Sequence, residues 1–165
     1  MDETALRAVR VLRDRLEKRT ATIGVIGLGY VGLPLALACC KPGFTVIGFD
    51  IDSAKVEVLN RGESPIKHIP SEPVASARAA GQFEASADFQ RLNEPDALMI
   101  CVPTPLGAHR EPDLGFVEAT TRAIAARLRP GQLVILESTT YPGTTREVLK
   151  PILEASGLQC GIDFF

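Results

Sequence analysis

Apolar residues fall along this chain in short, nearly unbroken runs, separated by longer stretches with helical spacing. Thr22–Gly27 (TIGVIG), Thr45–Asp50 (TVIGFD), Asp96–Val102 (DALMICV) and Gln132–Glu137 (QLVILE) are four such runs. They lack the in–out alternation of a half-exposed strand and predict strands covered on both faces. Phe83–Ala85 predicts a shorter strand. Between the runs, helices are expected over Tyr30–Lys41, closed by Pro42-Gly43, over Ser53–Arg61, closed by Gly62, and over Val74–Ala80, closed by Gly81. A longer helix should start at Asp113, with Val117, Thr120, Ile124 and Leu128 on one side, and end at Pro130-Gly131. Glu63–Pro73 holds three prolines and reads as a loop. Thr144 and Glu147 have capping-box spacing for a last helix, which Pro151 should kink or end. Residues 3–19 carry Leu6, Val9, Leu12 and Leu16 at helical spacing among charged residues, predicting an amphipathic helix ahead of the core.

Strands alternating with helices, without internal repeats, predict an α/β fold: a Rossmann-like, doubly wound parallel sheet with an extra N-terminal helix. The expected organisation is that helix over residues 1–20 and one domain over 21–165. A length of 165 residues leaves little room for a second domain. The net charge of −2 gives no electrostatic reason to expect nucleic acid or an anionic membrane as partner. The apolar runs stop well short of the ~20 residues needed to span a bilayer. Both charge signs are mixed through Met1–Arg19, unlike a secretory leader. Cys39, Cys40, Cys101 and Cys160 show no CxxC spacing and sit in apolar surroundings, so buried reduced thiols are expected rather than a metal site or disulfides. That reading places the chain in the cytoplasm. His68 and His109 stand alone in loop-like stretches and are expected to be solvated.

The segment with most chemical content is Gly27-Leu28-Gly29-Tyr30-Val31-Gly32, a GxGxxG. Glycine triplets alone say little, but this one has a strand before it, a helix after it, and an acid at the end of the next strand. Asp50 lies 18 residues beyond Gly32, near the ~20 expected of a ribose-binding acid. Gly27 allows the tight turn out of the strand, Gly29 lets a pyrophosphate approach the backbone, and Gly32 lets helix and strand pack closely. Unpaired N–H groups and the positive end of the helix dipole then face the phosphates. Asp50 would accept bonds from the ribose hydroxyls and repel a 2′-phosphate, favouring NAD over NADP. Lys55, one helical turn on, either approaches the adenosine end or lies on the surface.

Two further segments follow the later strands, at the end where doubly wound sheets bind ligands: Val102-Pro103-Thr104-Pro105 and Glu137-Ser138-Thr139-Thr140-Tyr141-Pro142-Gly143-Thr144-Thr145. Their hydroxyls and prolines suit a rigid polar wall beside a cofactor, and equally suit turn and cap chemistry. Asp113 and Glu137 do not make a convincing acid–base pair, because Asp113 reads as a helix cap.

Taken together, Gly24–Ala36 (GVIGLGYVGLPLA), Cys101–Pro105 and Glu137–Thr145 resemble the UDP-glucose/GDP-mannose dehydrogenase family. Within it, the Glu137–Thr145 form and Arg110-Glu-Pro-Asp113 look most like the UDP-N-acetylglucosamine 6-dehydrogenases; UDP-glucose and UDP-N-acetylmannosamine dehydrogenases are the alternatives. The resemblance implies oxidation of a sugar-nucleotide C6 alcohol to a carboxylate by two hydride transfers to NAD+, with a cysteine forming a thiohemiacetal and then a thioester. It places Gly27, Gly29, Tyr30, Val31, Gly32, Asp50 and Lys55 on the adenosine and pyrophosphate half. Val102, Thr104, Ser138 and Thr139 would lie nearer the nicotinamide, with Thr139 in a supporting catalytic role beside the water. None of the four cysteines matches the family's cysteine motif, and the chain stops where the family continues into another strand. It therefore reads as truncated: a NAD-binding part without the nucleophile, inactive alone. The whole protein would take a UDP-sugar and form a homo-oligomer. A free-standing NAD(H)-sensing module is the alternative from another class.

Overall fold

In the computed structural model, which describes residues 3–106 and 112–165, five strands form one parallel sheet. They are β1 (Thr22–Ile26), β2 (Thr45–Phe49), β3 (Phe83–Ser86), β4 (Ala97–Ile100) and β5 (Leu133–Leu136), in spatial order β3-β2-β1-β4-β5. Register runs Ile23↔Val46 and Ile23↔Ala97, so β1 lies at the centre. The chain leaves β1 toward β2 on one side and returns to β4 on the other. The crevice above the C-terminal ends of β1 and β4 is therefore the switch point where such sheets take ligands.

Each central strand feeds two cores. Ile23 and Val25 of β1, Val46 of β2 and Ala97 of β4 face α2 (Gly32–Cys40), α3 (Ser53–Asn60) and α4 (Ser71–Ala79). Ile26, Ile47, Phe49, Leu98 and Ile100 face the other way, onto α5 (Gly115–Ala125) and α6 (Lys150–Glu154). Burial on both faces is why the strands read as continuous apolar runs. The edge strand β5 differs, being only half-buried along its length. Phe165 pairs beside its start, donating its N–H to the Gln132 carbonyl (2.9 Å) and accepting from the Val134 N–H (2.6 Å).

Several local expectations need correction. In α1 (Glu3–Glu17) Ala5 and Leu12 are buried while Leu6 is exposed; the inward stripe runs Ala5–Val9–Leu12–Leu16, and Leu6 lies to its side. α4 begins at Ser71, inside the expected loop, because Pro73 falls in its first turn, where no N–H is needed. A 3₁₀ turn over Phe89–Asn93 was not expected; Asp88 caps it by accepting from the Gln90 N–H at 2.9 Å. In α5 the buried threonine is Thr121 and not Thr120, since the Thr121 hydroxyl donates to the Val117 carbonyl at 2.7 Å and so enters the core without an unmet bond. Asp113 acts just ahead of that helix, accepting from the Gly115 N–H at 2.8 Å. Thr144 and Glu147 form no capping box: the Thr144 hydroxyl donates to the Tyr141 carbonyl at 2.7 Å. The last helix opens with a π-helical turn, Thr145–Leu149, because Pro151 has no N–H with which to continue the α-helical ladder. His109 and the Arg110–Glu111 part of the Arg110–Asp113 segment lie outside the described residues. Among the described residues, no helix is long and apolar enough to cross a membrane.

A polar knot holds the sheet end opposite the crevice. The buried Asp96 carboxylate accepts from Arg15 of α1 (2.6 Å), from Arg129 after α5 (3.0 Å) and from the Thr22 N–H at the start of β1 (2.9 Å). Removing the acid leaves the Thr22 N–H without this acceptor and takes the counter-charge from two guanidiniums, of which Arg15 keeps the Thr20 carbonyl and Arg129 those of Asn93, Glu94 and Pro95. Asp96→Ala should accordingly lower the thermal midpoint by roughly 5–10 °C, from a loss of about 3 kcal/mol. Its NADH affinity should stay within about twofold of wild type, since the knot lies at the far end of the sheet. Melting curves and NADH titration of the variant check both halves.

Candidate functional site

The glycine turn begins where β1 ends, and each of its three glycines answers a different steric demand. Gly27 has φ +92°, and a Cβ there would stand 2.8 Å from the Cys101 carbonyl oxygen. Gly32 opens α2 so close beneath the turn that a Cβ would fall 1.8 Å from the Gly27 carbonyl oxygen. Gly29 is the opposite case: a Cβ would meet nothing within 4 Å. Its missing side chain is not a packing requirement of the protein, and it leaves open space over the backbone. Beside that space the N–H groups of Tyr30, Val31 and Gly32 have no acceptor among the described residues. Tyr30 and Val31 project into solvent, 73% and 59% exposed, where they can wall a ligand. A bare backbone surface with free N–H donors at a helix start fits a pyrophosphate.

The acid expected to meet the ribose is held between β2 and α3. Asp50 follows β2 and is 6% exposed, so its carboxylate needs donors. Oδ2 accepts from the Leu28 N–H (2.9 Å) and the Lys55 ammonium (2.8 Å), and Oδ1 accepts from the Asp52 N–H (3.0 Å). Lys55 is thereby held against Asp50 and is not free on the open surface. It is aimed by Asp52, which caps α3 by accepting from the Ala54 and Lys55 N–H groups at 3.0 and 3.2 Å. Asp52 was missed from the sequence; its signal is an Asp standing at the N-cap of a helix. A carboxylate offers about four acceptor sites, so Asp50 keeps capacity on Oδ1 for a hydroxyl. Ile51, 81% exposed beside it, supplies an apolar surface that the sequence reading also passed over.

The two downstream segments arrive from β4 and β5. Val102 and Thr104 are half-buried after β4, and Thr139 is exposed after β5. Ser138 ties the segments together: its hydroxyl donates to the Val102 carbonyl at 2.7 Å. It therefore shapes the wall and does not present its hydroxyl freely. The hydroxyl of Thr144 is likewise taken, by the Tyr141 carbonyl.

All four cysteines are free thiols, Cys40 and Cys101 buried and Cys39 and Cys160 half-buried. Burial pushes the Cys40 and Cys101 thiols up to about 11, helped by Cys39 beside Cys40 and by Glu137 beside Cys101. Burial also raises Cys39. At neutral pH these three are protonated and poor nucleophiles. Among the described residues no group of His, Cys, Asp and Glu is arranged to hold a metal ion.

Comparison with known proteins agrees with this geometry. Residues 21–164 match the UDP-glucose/GDP-mannose dehydrogenase family, NAD binding domain. The chain is 38% identical over 144 residues to a UDP-N-acetyl-D-glucosamine 6-dehydrogenase of Pseudomonas aeruginosa, covering 87% of this chain and 33% of that protein. It is 42% identical over 134 residues to the UDP-N-acetyl-D-mannosamine dehydrogenase of Escherichia coli K12, covering 81% and 31%. Among solved structures, the NDP-N-acetyl-D-galactosaminuronic acid dehydrogenase of Methanosarcina mazei superposes with a TM-score of 0.82 at 40% identity, over 93% of this chain and 35% of that one. A GDP-mannose dehydrogenase of Pseudomonas aeruginosa also superposes with a TM-score of 0.82, at 34% identity, over 87% and 34%. The chain thus spans about a third of the length of the relatives it matches. It belongs to the UDP-glucose/GDP-mannose dehydrogenase family, as a NAD-binding domain of Rossmann type.

Proposed function

We propose that this chain is the NAD-binding part of a UDP-N-acetylglucosamine 6-dehydrogenase, which oxidises the C6 alcohol to the carboxylate with two NAD+. The observation that carries the cofactor half is the space over Gly29, flanked by free N–H groups and by the Asp50–Lys55 pair. In this reading Gly27, Gly29, Gly32, Tyr30 and Val31 hold the pyrophosphate, while Asp50 and Lys55 hold the adenosine ribose. Val102, Thr104, Ser138 and Thr139 wall the nicotinamide half, with Thr139 orienting a water. Bound NAD+ supplies the hydride acceptor; the chain's own residues position it and keep Asp50 in the way of a 2′-phosphate. The choice of sugar rests on the Glu137–Thr145 sequence and on the Pseudomonas relative.

Hydride transfer also needs the alcohol held against the nicotinamide and a base for its proton. The second oxidation needs an activated thiolate. Buried thiols pushed up to about 11 do not supply one, and a threonine hydroxyl at residue 139 cannot replace it. The 165 residues alone should therefore bind NADH yet give no measurable NADH from NAD+ and UDP-N-acetylglucosamine. The same domain joined to the cysteine-bearing part of the family should turn over. Absorbance growth at the NADH band, with UDP-N-acetylglucosamine, UDP-N-acetylmannosamine and UDP-glucose offered in turn, tests the reading. Fastest turnover of UDP-N-acetylglucosamine by the longer protein supports it. Preference for another sugar removes the substrate assignment, and steady turnover by the 165 residues alone removes the placement of the catalytic groups.

A further inference from the structure

Gly48 lies inside β2, on the sheet face that carries the glycine turn. A glycine within a strand weakens it, through backbone entropy and the lack of a side chain to pack, unless something must approach closely. Nothing in the ladder demands one here: Gly48 pairs in regular register with Val25 on one side and Ala85 on the other. What approaches is Leu28. A Cβ on residue 48 would stand 2.7 and 2.8 Å from its two Cδ atoms, and 3.1 Å from Cε2 of Phe83. Leu28 is the residue between the first two glycines of the turn, and it is fully buried. Its side chain fills the space that a side chain at position 48 would take.

The turn is then fixed to β2 at three consecutive residues. Leu28 seats over Gly48, the Gly27 N–H donates to the Phe49 carbonyl at 2.8 Å, and the Leu28 N–H donates to Asp50 Oδ2 at 2.9 Å. We propose that Gly48 is a positioning residue for the cofactor: the socket it leaves seats Leu28, and Leu28 holds the glycine turn in register with Asp50. The inference rests on the reading that the pyrophosphate lies over Gly29. Gly48 touches no part of NAD; it acts through Leu28. Pyrophosphate turn and ribose acid become one rigid unit, set before the cofactor arrives.

The test is NADH titration, with thermal melts alongside, of the wild-type chain, Gly48→Ala, Leu28→Ala, Phe83→Leu, and Gly48→Ala combined with each of the other two. The Leu28 Cδ atoms must give way to an added methyl, and because Leu28 is fully buried the shift is expected to pass to the turn, so Gly48→Ala should weaken NADH binding by about tenfold or more. Leu28→Ala removes both Cδ atoms, so adding it to Gly48→Ala should restore affinity to that of Leu28→Ala alone. Phe83→Leu should restore nothing. The inference is overturned if Gly48→Ala binds within about twofold of wild type, or if Leu28→Ala fails to rescue it. Rescue by Phe83→Leu instead would also overturn it. Should Gly48→Ala not fold, its combination with Leu28→Ala carries the comparison: a folded chain matching Leu28→Ala in affinity supports the socket, and an unfolded one contradicts it. A folded wild-type chain that does not bind NADH contradicts the cofactor reading beneath it.

Discussion

Gly29→Val should leave the chain folded and reduce NADH affinity at least about a hundredfold, the cost of driving two methyl groups into the pyrophosphate's place. The protein itself has room for the new side chain, because nothing lies within 4 Å of the added Cβ and φ at Gly29 is not left-handed. The thermal midpoint should therefore stay within about 2 °C of wild type, as for an unstrained surface change. Gly32→Ala supplies the contrast. Its Cβ would fall 1.8 Å from the Gly27 carbonyl oxygen, so turn and helix must separate. A fall of roughly 10 °C or more in the midpoint is expected, from strain of at least about 4 kcal/mol. Melts and titrations on the two variants separate a glycine kept for a ligand from a glycine kept for packing. Unchanged NADH binding by Gly29→Val would remove the pyrophosphate from this turn.

Asp50→Ala should weaken NAD more than NADP and so narrow the preference between them. The carboxylate accepts from the Leu28 N–H, the Asp52 N–H and the Lys55 ammonium, so its loss loosens the turn as well as removing the acceptor proposed for the ribose. Charge-assisted bonds of this kind correspond to a loss of about 10- to 100-fold in NAD affinity. For NADP the same change removes a negative charge facing the 2′-phosphate and frees the Lys55 ammonium to meet it. NADP affinity should hold or rise. Paired titrations at one ionic strength decide the matter, and a preference as large as the wild type's would place the discrimination elsewhere.

What the sequence made legible follows from how local each demand is. The glycine turn, the acid 18 residues beyond it and the covered strands β1, β2 and β4 are each specified by spacing along the chain, and they appear where spacing put them; β5, equally apolar in sequence, lies half-buried at the edge because strand order is not written in local spacing. The pairing of Lys55 with Asp50 was legible as a possibility only, because it depends on the turn by which Asp52 caps the next helix. The Asp96 knot was not legible: Arg15 and Arg129 lie 81 and 33 residues away, and nothing in a charged residue's own neighbourhood names its partner. Gly48 is similar, since its meaning is the Leu28 side chain arriving from another strand's end. The misplaced threonines have a local cause. Ser, Thr and Asp bond readily to nearby backbone in several ways, so Thr144 satisfied the Tyr141 carbonyl where a capping box was expected, and Thr121 entered the core through the Val117 carbonyl.

The most direct test of the central claim, that this domain holds NAD across the glycine turn, is an NMR titration of the ¹⁵N-labelled 165-residue chain with NADH. The amide signals of Leu28 to Leu33, with those of Asp50, Ile51 and Lys55, should move together and saturate at one equivalent, while those around Asp96 and Arg129 at the opposite end stay still. Saturable shifts centred elsewhere, or none at millimolar NADH with the chain folded, would contradict it.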